Sequence, residues 1–145
     1  TSYRTCAREK FGYEPDPAQL GYAPGMYVSD DEQRAKEEAA AHAEFFRSKA
    51  FKIPPHFLIP PGYVTENSLR GFLAAGPLGD AIAGTPKTVI DRLIADYEFL
   101  GGFGYIIAGA GPGNATHEQT VKHMTLFQTE VMPTLKKYHA QKTAR

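Results

Sequence analysis

Apolar and polar positions along the chain follow two rhythms. Ala35, Ala39, Ala43 and Phe46 recur every three or four residues, the period of a helix with one narrow apolar face. Ser29 and Glu32 have capping-box spacing, and Asp30, Asp31 and Glu32 bring negative charge to the positive end of the dipole. This helix is predicted to open at Ser29 and close near Lys49. Val89, Ile90, Leu93, Ile94, Tyr97 and Leu100 form a broader face, with Thr85 as cap, Pro86 in the first turn and Gly101-Gly102 as the stop. A third helix starts at Thr116, with Gln119 completing a capping box, and turns Val121, Met124, Phe127, Val131 and Leu135 inward; Pro133 is expected to kink or end it. Tyr3 to Lys10 reads as a helix already under way near the chain start and closed by Gly12, which raises the expectation of sequence upstream.

The second rhythm belongs to strands. Leu20 to Val28 reads as one, interrupted by Pro24 and Gly25, with its core at Gly25-Met26-Tyr27-Val28. Phe103 to Ala108 is almost continuously apolar, the pattern of a parallel strand covered on both faces. Residues 50–83 fit neither rhythm. Pro54-Pro55 and Pro60-Pro61 break long elements, yet Phe51, Ile53, Phe57, Leu58, Ile59 and Tyr63 keep the segment apolar, unlike a disordered linker. So long an irregular stretch is more often a lid or binding loop than a spacer, and Thr65 to Ala75 is expected to add a short helix.

Helices alternating with strands imply a parallel sheet in an α/β fold. Two strands cannot bury their own faces, and a (β/α)8 barrel takes about 250 residues. The expected fold is therefore the C-terminal portion of a (β/α)8 TIM-type barrel with an irregular insertion at residues 50–83. All 145 residues belong to one domain segment.

Composition narrows the partners. Sixteen basic and 16 acidic side chains give zero formal charge, which supplies no field for nucleic acid or an anionic membrane. The one cationic cluster, Lys136 to Arg145, reads as a solvated chain end. No apolar run approaches the ~18 residues of a bilayer span, and no signal peptide opens the chain. Cys6 is the sole cysteine and reads as a packed side chain in a reducing, cytoplasmic setting. His42, His56, His117, His123 and His139 show no zinc-ligand spacing, so no metal is expected. No serine has a nucleophile-elbow context, which leaves hydrolase chemistry without support.

Four segments, in order, resemble the luciferase-like monooxygenases, a family of flavin-dependent oxidoreductases. Met26-Tyr27-Val28-Ser29-Asp30-Asp31-Glu32-Gln33-Arg34-Ala35 is similar to the family's strand-to-helix join. Phe57-Leu58-Ile59-Pro60-Pro61-Gly62-Tyr63, with Glu66, Ser68, Leu69 and Arg70, resembles one subgroup. Ala83-Gly84-Thr85-Pro86-Lys87-Thr88-Val89 matches a helix start in which Lys87 replaces the usual glutamate. Leu126-Phe127-Gln128-Thr129-Glu130-Val131-Met132-Pro133 is similar to the closing helix. The resemblance spans nearly the whole chain. It implies a barrel that binds FMN, or alternatively a deazaflavin, at the C-terminal ends of its strands. A small organic substrate is then oxidised with reduced flavin and oxygen, the cofactor supplying the redox chemistry. Most of the family's catalytic side chains lie in earlier strands, so none is carried over to this chain, and the segment alone is expected to be inactive. The remainder of the barrel, or a second copy in a homo-oligomer, is the expected macromolecular partner.

Two groups of residues are candidates for contact with ligand. Gly109, Gly111, Gly113 and Asn114 lie between a strand and a helix, where backbone amides can face a phosphate. Alone this stretch imitates a dinucleotide fingerprint, but that motif needs a second parallel strand after the helix with an acidic residue about 20 positions on, and here Pro133 cuts the helix and a basic tail follows. A cofactor-binding loop at the barrel mouth and a plain tight turn both remain open. In the insertion, His56, Phe57 and Tyr63 are candidates for a lid over substrate, or for aromatics packed on the barrel. His117, in the first turn of the last helix, is a candidate polar contact. The competing reading of the whole chain is a noncatalytic α/β module acting in assembly or regulation.

Overall fold

The computed structural model describes residues 2–50, 81–108 and 115–143, with the backbone alone for residues 2 and 46–50. The elements are α1 (Ser2–Phe11), a 3-10 turn (Pro17–Gln19), β1 (Gly21–Tyr22), β2 (Met26–Val28) and α2 (Glu32–Ala50), then β3 (Ile82–Gly84), α3 (Pro86–Leu100) and β4 (Tyr105–Ile106). The chain finishes with α4 (His117–Leu126), a π turn (Phe127–Val131) and α5 (Met132–Thr143). Both strand pairings are parallel, β2 with β3 from Met26↔Ile82 to Val28↔Gly84, and β1 with β4 from Gly21↔Tyr105 to Tyr22↔Ile106. The expected break at Pro24-Gly25 is present, and it divides one extended stretch between two different partners.

The helix signals around α3 act as their chemistry dictates. Thr85 caps it, Pro86 takes the first turn, and Gly101 closes it with φ 75°, a left-handed conformation that suits glycine. Gly102 then donates its N–H to the Tyr97 carbonyl at 2.8 Å. Lys87, unfavourable at a helix N-terminus by charge alone, is paired with Asp91 one turn on. Val89 and Leu93 are fully buried and meet Met26, Val28, Ile82 and Val131 in the core. Each such side chain contributes roughly 1.5–3 kcal/mol on burial.

α2 departs from expectation at its start. Its first residue is Glu32 and its cap is Asp31, whose carboxylate accepts the Arg34 N–H at 2.7 Å. Ser29 is not the cap, because its own N–H continues the ladder by donating to the Gly84 carbonyl at 3.1 Å. A residue still held in the strand leaves two positions for the turn before the helix. Of the expected apolar face, Ala35 is buried, Ala39 is half-buried and Ala43 is exposed.

The last helix differs more. Val121 and Met124 were expected inward, but they are 46% and 52% exposed, and His123 is buried in their place. The cause is the π turn, in which Met132 N–H donates to the Phe127 carbonyl five residues back. The extra residue shifts the helix phase, so the inward line runs through His123, Phe127 and Val131. Pro133 does not stop the helix, which continues to Thr143. A proline collides with the carbonyl four residues earlier in a regular α-helix, and the widened turn before it relieves that conflict.

The basic tail is likewise more than a solvated end. Tyr138 and His139 stand edge-on to Tyr97, each at 5.9 Å between ring centres, and Lys142 pairs with Glu98 at 2.8 Å. The stretch Phe103 to Ala108 forms only a two-residue strand and is not covered on both faces: Ile106 and Ala108 pack on the core, whereas Tyr105 and Ile107 are 62% and 66% exposed. At the other end of the chain, Arg4 anchors α1 by donating to the Gly102 carbonyl at 3.0 Å. Cys6 on α1 is half-buried and forms no disulfide. Among the described residues no helix is long and apolar enough to cross a membrane.

Candidate functional site

Parallel strands place all their C-terminal ends on one side, where ligands of α/β folds gather. Here that edge is made by the residues following Val28 and Gly84. Glu32, the first residue of α2, reaches across to the start of α3. Its carboxylate accepts the Thr85 N–H at 3.0 Å and the Thr88 hydroxyl at 2.9 Å, and pairs with Lys36 at 3.2 Å. The Thr85 amide, then Thr88 and Lys36, hold the Glu32 carboxyl below its ordinary range. Gly84 makes this approach possible, because a Cβ there would stand 2.6 Å from Glu32 Oε2 and 2.7 Å from Thr88 Cβ.

A second set of contacts ties α4 to the same edge. Lys122 pairs with Asp30 at 2.7 Å and lowers its carboxyl, helped by the Ser29 hydroxyl. His123 Nδ1 accepts the Val28 N–H at 2.8 Å inside the core, so the hydrogen-bonded ring carries no proton on that nitrogen. Gln119 donates to Glu38 at 3.1 Å, where Arg34 also lands. Beneath lies Tyr27, 5% exposed, its ring 5.8 Å from that of His42 and 6.4 Å from that of His123. Burial raises the Tyr27 phenol to about 12 and lowers the His42 imidazole, so both are held neutral.

Of the candidates drawn from sequence, His117 is described, and it lies exposed as the first residue of α4. Gly109, Gly111, Gly113 and Asn114, together with His56, Phe57 and Tyr63, lie outside the described residues. The expected capping box beside His117 is present: Gln119 N–H donates to Thr116 Oγ1 at 3.2 Å and Thr116 N–H to Gln119 Oε1 at 2.8 Å. Lys122, His123 and the cross-strand role of Glu32 were not found from sequence. No sequence signal singles out His123, whose eight-residue spacing to Val131 also occurs within the helical face read from Ala35 to Ala43.

The chemistry of this edge is that of a clamp. Its acidic groups are engaged by Lys36, Lys122 and backbone amides, and Ser29 Oγ bonds to Asp30 and the Asp31 N–H. No cluster of three metal-ligating side chains occurs among the described residues. The described groups do not fit a flavin phosphate. Asp30 and Asp31 bring negative charge to the strand ends, and the capping box already uses two amides at the α4 N-terminus.

No protein-family model matches the chain, and no curated protein matches it in sequence. Solved structures do match. Over 92% of its length the chain superposes on 36% of the monooxygenase RslO1 from Streptomyces bottropensis, with TM-score 0.58 and 20% identity. Over 89% of its length it superposes on 37% of a type II Baeyer-Villiger monooxygenase, the oxygenating constituent of 3,6-diketocamphane monooxygenase from the CAM plasmid of Pseudomonas putida, solved in complex with FMN. There the TM-score is 0.54 and the identity 18%. The chain thus spans little more than a third of either protein's length, and what it shares with them is the fold of that third.

Proposed function

We propose that this chain is the C-terminal part of a luciferase-like (β/α)8 barrel, and that the protein containing it is a flavin-dependent monooxygenase acting on a small organic substrate. The observation that carries the reading is the parallel β–α order, which superposes on a monooxygenase along 92% of the chain. The four family-like segments support it independently, because they occur in the same order. FMN is the cofactor named with one of the superposed structures, and in this protein it, or a deazaflavin, supplies the redox chemistry. The clamp at the strand ends orients the joins of β2 with α2 and β3 with α3. In this reading His56, Phe57 and Tyr63 line the lid, His117 faces the mouth, and Gly109, Gly111, Gly113 and Asn114 approach the cofactor. The catalytic side chains belong to the remainder of the barrel, and the segment by itself turns over no substrate.

The test is oxygen consumption by the full-length protein with reduced FMN, alongside titration of oxidised FMN followed by flavin fluorescence. Saturable FMN binding with flavin-dependent oxygen uptake is the expected result. Absence of both overturns the reading in favour of a noncatalytic module.

A further inference from the structure

Away from the clamp, α3, β4 and α5 line a half-open pocket of about 200 Å³. It opens beside Phe103 and Gly104, where β4 begins, whereas the polar edge lies where β2 and β3 finish. Its walls are Leu93, Ile94, Phe103, Ile106, Met132 and Leu135. Met132 directly follows the π turn, a distortion that recurs at functional positions. A dry apolar cavity of about 150 Å³ holds a benzene ring, so this one accepts a single ring with a small substituent.

The polar groups at the cavity come from α3 and α5. Tyr97 Oη lies 3.1 Å from His139 Nδ1; when that nitrogen carries the proton, the phenol O–H is free to donate to a ligand oxygen. Tyr138 and Lys142 are already engaged by Glu98. Lys136 is the cation among the lining residues, has no ion-pair partner among the described residues, and no acidic side chain lines the cavity. An apolar pocket whose lining includes a phenol and the exposed Lys136 is complementary to a flat apolar body bearing one anionic oxygen group. The geometry points to a binding site for a monocyclic aromatic carboxylate between α3, β4 and α5, separate from the strand-end edge.

The experiment titrates benzoate and toluene into the purified full-length protein by calorimetry and ligand-observed NMR. Benzoate is expected to saturate in the millimolar range or tighter. Lys136→Gln is expected to weaken benzoate about five- to tenfold and leave toluene unchanged, as an electrostatic contact requires. Leu135→Trp fills the chamber and is expected to abolish binding of both; Met132→Phe replaces it if that variant does not melt cooperatively. Absence of benzoate binding overturns the site, as does benzoate binding that survives filling of the chamber. Equal weakening of both ligands by Lys136→Gln overturns the carboxylate assignment.

Discussion

The two strand pairs share a parallel register and differ in cover. In the β2–β3 pair, Met26, Tyr27, Val28, Ile82 and Gly84 are all buried, with α2 and α3 packed against the ladder and α4 reaching β2. In the β1–β4 pair, Gly21 and Tyr105 are exposed, and the apolar alternation of β4 ends with Ile107 in the open. Hydrogen bonding is common to both, so it does not distinguish them. Helical cover does, and it comes with a polar clamp that fixes where each helix starts. Tyr22, by contrast, holds β1 to α3 through one hydrogen bond to Asp96 at 2.8 Å, with burial and that carboxylate raising its phenol to about 12.

Four measurements break or sharpen this contrast. Leu93→Ala opens a cavity under the covered pair and is expected to cost about 3–4 kcal/mol in urea unfolding; a loss below about 1 kcal/mol contradicts the placement of the core there. Gly84→Ala forces a Cβ against Glu32 and Thr88. It is expected to cost about 2 kcal/mol, and an unchanged midpoint means that the two helix starts are not in close contact.

The third measurement concerns pH. The Glu32 carboxyl lies below its ordinary value of 4.5, so its stabilisation is complete above that value and drains away as pH falls through the lowered one. Glu32→Gln therefore flattens the acid side of the stability profile relative to the parent; parallel profiles contradict the clamp. Tyr105→Ser is expected to change stability by no more than about 0.5 kcal/mol. A larger loss shows that β4 is covered in solution.

Much of the fold was legible where local chemistry decides it. The cap at Thr85, the proline after it, the left-handed Gly101 and the capping box of Thr116 with Gln119 all need only near neighbours in sequence, and all are present. The start of α2 was misread because Ser29 is bound by the distant Gly84 carbonyl, a contact that spacing does not reveal. The inward face of α4 was misplaced because periodicity assumes a constant helical turn, which the π turn interrupts. The tail was read as solvated from its cationic residues alone, a signal that does not reveal the packing of Tyr138 and His139 on Tyr97. Of the site, sequence located the strand ends but not the clamp, since Glu32, Asp30 and His123 act through partners more than 50 positions away. The glycine loop and the aromatic insertion lie outside the described residues.

The π turn also makes the C-terminal region sensitive to length in a way that substitutions do not expose. Each residue of an α-helix advances the side chains by about 100°. One residue removed between Phe127 and Val131 would let the wide turn relax to a regular helix with the faces on either side still in register, whereas one removed between Met132 and His139 would swing His139 around the axis by that amount. A single deletion is therefore expected to be tolerated inside the π turn and disfavoured after it, even when every remaining side chain is kept.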